Sequence, residues 1–254
     1  MLVYKLGQPE QFAMPSQNTP PHHGLPTLDD LRPRTVTDQI FEELYKRVID
    51  LSLPPGTRLS EAEVAAKMGV SRQPVRDAFY RLSQQGFIEI RPQRATIVTA
   101  ISEESILQAQ FIRLALETAC LRRATERLTA DHLAALDRLV ERQDATVKAD
   151  QRAEFHALDD QFHHDICAYT GLEFAWTLIK ENKGHMDRAR YLSLSFGAPK
   201  ALAEHREIMA ALHARDADRA VAACERHLGR IAEIFPRLRA DNPDAFGKRQ
   251  EAES

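Results

Sequence analysis

Apolar positions along the chain have two textures. In the first hundred residues Ile40, Leu44, Val48 and Leu51 recur at helical spacing until Pro54, Pro55 and Gly56 halt them. Val64, Ala65 and Met68 make a second short stripe, opened by Ser60 and Glu61 and closed by Gly69 and Val70. A third stripe is Val75, Ala78, Phe79 and Leu82, with Ser71 as a cap and Gly86 as a stop. Pro74 sits in its first turn, where the missing amide would be orphaned anyway. Residues 87–90 and 96–99 are short strand-like runs joined by a basic link, Arg91 and Arg94 with Pro92, Gln93 and Ala95. Three helices and a β-hairpin are therefore expected over 31–101.

Beyond residue 102 the pattern is helical throughout. It is interrupted near Leu128, Asp150, Thr170 and Gly171, residues 195–199 and residues 215–217. This predicts about six antiparallel helices over 102–240 and a mainly α fold. Residues 1–30 contain Pro9, Pro15, Pro20, Pro21 and Pro26 with little periodicity and read as a disordered arm, and 241–254 reads as a flexible polar tail.

Composition narrows the class. The 254 residues suffice for two modest domains, and 28% charged with 43% hydrophobic residues is ordinary for a soluble protein. The net charge of -3 hides an asymmetry: residues 31–100 hold 11 Lys+Arg against 8 Asp+Glu, a local +3 against -6 in the remainder. Affinity for a polyanion is thus confined to the first module. Cys120, Cys167 and Cys224 are few, odd in number and widely spaced, as small buried hydrophobes are in a reducing cytoplasm. No apolar run is long enough for a membrane span and residues 1–10 lack a signal-peptide pattern, so a cytoplasmic protein is expected.

Two helices, a tight turn and an outward N-terminal face bearing Arg72, Gln73, Arg76 and Tyr80 describe a helix-turn-helix. Its second helix enters a major groove N-terminus first, and the basic hairpin serves as a wing. The bland alternative is a folded scrap with surface arginines. The wording of the chain adds to this. PPG at 54–56, LSE at 59–61 and SRQPVRDA at 71–78 closely resemble the winged-helix domain of the GntR family of bacterial transcription regulators. The resemblance implies a double-stranded DNA operator as partner, contacted by Arg58, Ser71, Arg72, Gln73, Arg76 and the wing residue Arg94. Ala62 and Ala95 depart from that family, which commonly has arginine and glycine there, implying one lost contact and a stiffer wing tip.

The helical half carries polar residues inside its apolar stripes. At 100° per residue, Phe155, Leu158, Phe162 and Ile166 share one face; Asp159 lies within it and His163 at its edge, one turn on. His205 falls among Ala201, Leu202, Ile208, Met209 and Leu212, and His227 among Ala220, Ala223, Cys224 and Ile231. Three imidazoles and a carboxylate suit a divalent transition metal: zinc first, nickel or manganese otherwise. Any one of these histidines alone is more readily a hydrogen-bonded core residue, and His185 competes for a place in the set. Arg113 faces inward too. Its partner is either Glu117, one turn on, or the carboxylate of an effector held bidentately. Asn182 and Arg188 are assigned to the same interior.

LDDQFHHDI at 158–166, AEHREIMAAL at 203–212, RHL at 226–228 and IRLALE at 112–117 resemble the ligand-sensing FCD domain of the FadR subgroup of GntR regulators. That resemblance implies Asp159, His163, His205 and His227 as metal ligands and Arg113, Asn182 and Arg188 as effector contacts. Leu172 stands where asparagine is common. The resulting expectation is a regulator rather than an enzyme: a homodimeric repressor on a palindromic operator, responding to a small organic acid. Its rivals are a metal-ion sensor and a metal-dependent hydrolase fused to a DNA-binding domain.

Overall fold

Ile40, Leu44 and Val48 bury one side of α1 (Val36–Ile49), the helix on which the N-terminal module of this computed structural model is assembled. The structure describes residues 35–91 and 95–246, with the side chains of residues 194 and 195 left outside it. After β1 (Arg58–Leu59), Ser60 caps α2 (Glu61–Met68) by accepting from the Glu63 amide, and Gly69 closes it at φ 67°. The left-handed conformation there is one that L side chains rarely adopt. In α3 (Arg72–Gln84), Val75, Ala78, Phe79 and Leu82 are buried against α1, as their spacing predicts. Ser71 holds the N-cap position but its hydroxyl makes no capping bond.

β2 (Ile88–Glu89) and β3 (Thr96–Val98) form the wing, with β1 as a third strand beyond the expected pair. The antiparallel order is β1-β3-β2, with Arg58 opposite Ile97 and Ile88 opposite Val98. The wing tip, and Arg94 with it, lies outside the described residues, as do the arm at 1–30 and residues 247–254.

Six helices follow: α4 (Glu103–Arg127), α5 (Ala130–Lys148), α6 (Arg152–Tyr169), α7 (Glu173–Asn182), α8 (Gly184–His213) and α9 (Ala217–Asp241). Ser102, Thr129 and Asp216 cap α4, α5 and α9 with side-chain bonds to amides three residues on. Their inward faces meet in one core that includes Leu136, Phe155, Phe162, Ile179, Ile208 and Leu212. The number of helices is as predicted, but one boundary is not. Instead of breaking at 195–199, α8 runs through Pro199, because Ala198, Ala201 and Leu202 are buried in the core. That packing outweighs the one backbone bond a proline removes. The break falls at Lys183, whose buried ammonium bonds Asp160 of α6 and Asp187 of α8 and pins the corner.

The C-terminus also departs from the expected loose tail. A 3-10 turn (Pro243–Ala245) follows α9, Phe246 packs edge-on against Phe235 with centroids 5.1 Å apart, and the Ile101 amide donates to the Ala245 carbonyl. All three cysteines are free and buried. No described helix is long and apolar enough to cross a membrane.

Candidate metal centre and DNA-reading face

Asp159 and His163 from α6, His205 from α8 and His227 from α9 converge in the middle of the helical half. Each offers one ligand atom within 4.8 Å of all the others, and all four residues are buried. His163 Nε2 lies 3.2 Å and His205 Nε2 3.4 Å from His227 Nε2, while Asp159 Oδ1 is 3.6 Å from His205 Nε2. An ion bound at about 2.0–2.2 Å to nitrogen or oxygen sets neighbouring donors about 3–3.6 Å apart, so the spacing fits.

The opposite edges of the rings explain why these nitrogens point inward. Glu204 accepts from His227 Nδ1 at 3.0 Å and Gln143 Oε1 from His205 Nδ1 at 2.7 Å, while Glu117 Oε2 lies 2.7 Å from His163 Nδ1. Gln143 in turn donates to the Leu158 carbonyl, which fixes its amide so that oxygen faces His205. Assigned from these partners, each Nδ1 carries a proton and each Nε2 turns a lone pair toward the centre. Lone pairs about 3.2–3.4 Å apart repel one another unless a cation lies between them. Asp159 Oδ1 is likewise buried without a hydrogen-bond partner among the described residues. Burial, then the neighbouring imidazole, pushes His205 and His227 well below the ordinary histidine range, which keeps them neutral and able to ligate. Burial alone would raise the Asp159 carboxyl, yet the Arg190 guanidinium beside it holds it well below the carboxylate range. The donor set fits a divalent transition metal.

Arg190 was missed in the sequence. Its guanidinium bonds Asp159 and lies 3.5 Å from Asp187. With Asp159, Ser193, His227 and Arg230 it borders a cavity of ≈ 30 Å³ beside the centre. The residue chosen instead, Arg188, lies two positions away, about 200° around the helix. Arg188 is fully buried but donates to the Thr99 carbonyl at the base of the wing. Asn182 is exposed at the end of α7 and bonds the Leu178 carbonyl, so it does not face the interior. His185 stacks on Phe87 and bonds the Gln85 carbonyl, away from the four ligands. Arg113 is buried and gives its Nε to Glu117. A second cluster, His156, Asp160 and Asp187, already holds a cation of its own, the Lys183 ammonium.

On the other module Arg58, Ser71, Arg72, Gln73 and Arg76 are all exposed. Ser71, Arg72 and Gln73 share the N-terminal end of α3, and Arg76 follows one turn later. Glu61 of α2 lies 3.4 Å from Arg72 and 3.3 Å from Arg76, long contacts between solvated groups that a nucleic acid readily displaces. Gln73 is bonded to Asp77.

Comparison with known proteins agrees with both halves. Residues 36–98 match the bacterial regulatory proteins of the gntR family, and residues 108–230 match the FCD domain. The chain is 36% identical to the HTH-type transcriptional repressor RspR of Escherichia coli (strain K12), over 84% of this chain and 94% of that protein. It is 35% identical to an HTH-type transcriptional regulator in an unstable DNA locus of Streptomyces ambofaciens, over 84% of this chain and 90% of that one. Among solved structures E. coli McbR/YncC superimposes with a TM-score of 0.66 at 23% identity, covering 80% of this chain and 98% of that one, which shows the shared fold. With a winged helix, a helical domain behind it and relatives that are transcription regulators rather than enzymes, the chain belongs to the GntR family of bacterial DNA-binding transcription regulators, with an FCD domain.

Proposed function

We propose that this regulator is a metabolite-responsive repressor that binds a palindromic operator as a homodimer. Its effector is a small carboxylate bound at a divalent metal held by Asp159, His163, His205 and His227, with zinc the first choice of ion. The observation that carries the reading is the convergence of three Nε2 atoms and a carboxylate whose outer edges are all held by other side chains. A histidine buried only for packing needs no such arrangement.

Arg113 supports the effector half. Its two terminal nitrogens are buried without a hydrogen-bond partner among the described residues, although Glu117 takes its Nε, so it has two parallel donors left for a carboxylate. Arg190, beside the cavity and bonded to Asp159, is a second receptor for the anion and replaces Asn182 and Arg188 in that role. Repression is favoured by the name of the E. coli relative. Arg58, Ser71, Arg72, Gln73, Arg76 and Arg94 are the residues assigned to the operator, and a cytoplasmic location suits a protein that reads DNA.

The deciding experiment is elemental analysis of protein purified without an affinity tag, beside a His163→Ala/His205→Ala double variant. One metal per chain, absent from the double variant, is the expected result. No metal in either after reconstitution reduces the histidines to core residues. The metal-sensor alternative is separated by titrating free zinc against a DNA complex: release by zinc alone, with no organic acid present, favours it.

A further inference from the structure

Two groups of buried polar atoms lack hydrogen-bond partners among the described residues. One surrounds the metal centre: Asp159 Oδ1 and the Arg113 Nη1 and Nη2. The other comprises Gln85 Oε1, His185 Nδ1 and Arg188 Nε and Nη1, and lies where α8 meets the end of α3 and the base of the wing.

The fit at this joint is close. The His185 ring stacks on Phe87 with centroids 4.5 Å apart, and Tyr45 of α1 meets the edge of Phe87 at 5.3 Å. His185 Nε2 donates to the Gln85 carbonyl at 3.0 Å, and Arg188 Nη2 to the Thr99 carbonyl at 2.6 Å. A Cβ on Gly184 would stand 2.5 Å from Phe87 Cζ and 2.7 Å from Tyr45 Oη, so no side chain fits there without shifting those two rings. Arg188 is fully buried, and burial pushes its guanidinium down to about 10. Close van der Waals packing thus coincides with donors and acceptors that would gain hydrogen bonds from water if the joint opened. Packing therefore opposes opening while hydration of these groups favours it.

The same two turns of α8 reach the other way. Arg190 lies about 200° around the helix from Arg188 and bonds Asp159. We propose that His185 and Arg188 are positioning residues for DNA binding: they hold the winged-helix head in one orientation on the first turns of α8, and Arg190 ties those turns to the state of the Asp159 centre. The second clause rests on the metal reading above. A ligand acts through this route only by its differential affinity for the docked and undocked arrangements.

Hydrogen exchange on the full chain tests both clauses, with zinc as the probe and chelator-stripped protein as reference. Arg188→Met is expected to speed exchange of the amides at 85–88 and 97–101 at least about tenfold in either state while leaving the cores of α5 and α9 protected. Arg188→Lys, which keeps a donor for the Thr99 carbonyl, is expected to restore protection. Gly184→Ala, which changes no polar group, is expected to mimic Arg188→Met. In the wild type, zinc is expected to change exchange at 85–88. In Arg188→Met that zinc dependence disappears while zinc stoichiometry stays at one. Wild-type exchange in Arg188→Met overturns the joint. Zinc bound one to one, yet silent at the head, overturns the coupling. Zinc that fails to bind overturns the metal reading and the coupling together, and the chelator-stripped variants still decide the joint.

Discussion

Arg113 Nε lies 2.7 Å from Glu117 Oε1, and both side chains are almost wholly buried. Of the two partners open to this cation, Glu117 of its own helix takes Nε, although an Arg preceding a Glu by four is the weaker orientation for such a pair. Burial compensates, since neither charge has water to turn to. Glu117 uses its other oxygen on His163 Nδ1, so one carboxylate serves both the guanidinium and a metal-ligand candidate.

Glu117→Gln follows directly. Gln keeps the shape but removes the charge opposite Arg113 and the acceptor that orients His163. The expected losses are about 3–5 kcal/mol of stability for the uncompensated buried cation and roughly 10–100-fold in metal affinity for the freed ring. Urea denaturation with and without chelator, and competition against a chromophoric chelator, measure the two separately. Unchanged metal affinity in a folded variant would show that Glu117 serves Arg113 alone.

At the DNA-reading face, Arg76→Ala should weaken binding to selected operator duplexes by about 1–3 kcal/mol and relax base preference at one position, with thermal stability unchanged. The exposed side chain pairs with Glu61 through long, solvated contacts, so little structural cost is expected. Titrations at several salt concentrations separate the roles. A loss equal for all sequences, with a salt slope reduced by about one, would make Arg76 a phosphate contact instead.

Much of this was legible in the chain because helical periodicity carries direction as well as presence. The stripe of Phe155, Leu158, Phe162 and Ile166 fixed which face of α6 is inward, and with it Asp159 and His163; all of these are buried. The same reasoning failed on α8. Pro199 suggested a break that packing overrides. Arg188 is buried as expected but bonds Thr99, the inward Arg190 was passed over, and Asn182 is exposed. Glu204 and Gln143 left no separable signal, because the second partner of each histidine comes from another helix and has no spacing of its own.

His185 gives a pH dependence whose sign can be worked out. Burial lowers its pKa below the ordinary 6.5, Arg188 adds to that, and only the Gln85 carbonyl opposes them. Docked, the ring is neutral; released, it accepts a proton at about 6.5. The released state thus binds more protons, and stability of the joint is present above that value and lost as pH falls below it. The loss is at most about 1.4 kcal/mol per pH unit for one proton. Exchange at Phe87, corrected for its intrinsic rate, should accelerate between pH 6.5 and 5.5 relative to α9. His185→Phe keeps the stack and should flatten the profile; a slope that survives in that variant assigns the effect to another group.

The last prediction concerns α4. Leu107 is 46% and Phe111 73% exposed, one turn apart beside Ile112, on a helix whose opposite face is core. A phenyl ring in water forfeits about 25 cal/mol for each Å² it leaves uncovered, and contiguous exposed apolar residues mark interaction surfaces. A second copy of the chain is the partner that a two-fold operator requires, and a two-fold axis would bring this patch against its own equivalent. Phe111→Glu would place two like charges at the centre of that contact. Sedimentation at micromolar concentration should then show a dimer for the wild type and a monomer for the variant, with the monomer fold and zinc content intact. Binding to a full palindrome should drop toward that of a half-site. A variant that remains dimeric would move the interface off α4, and a wild type that is already monomeric would leave Phe111 to some other partner and remove the palindrome from the reading altogether.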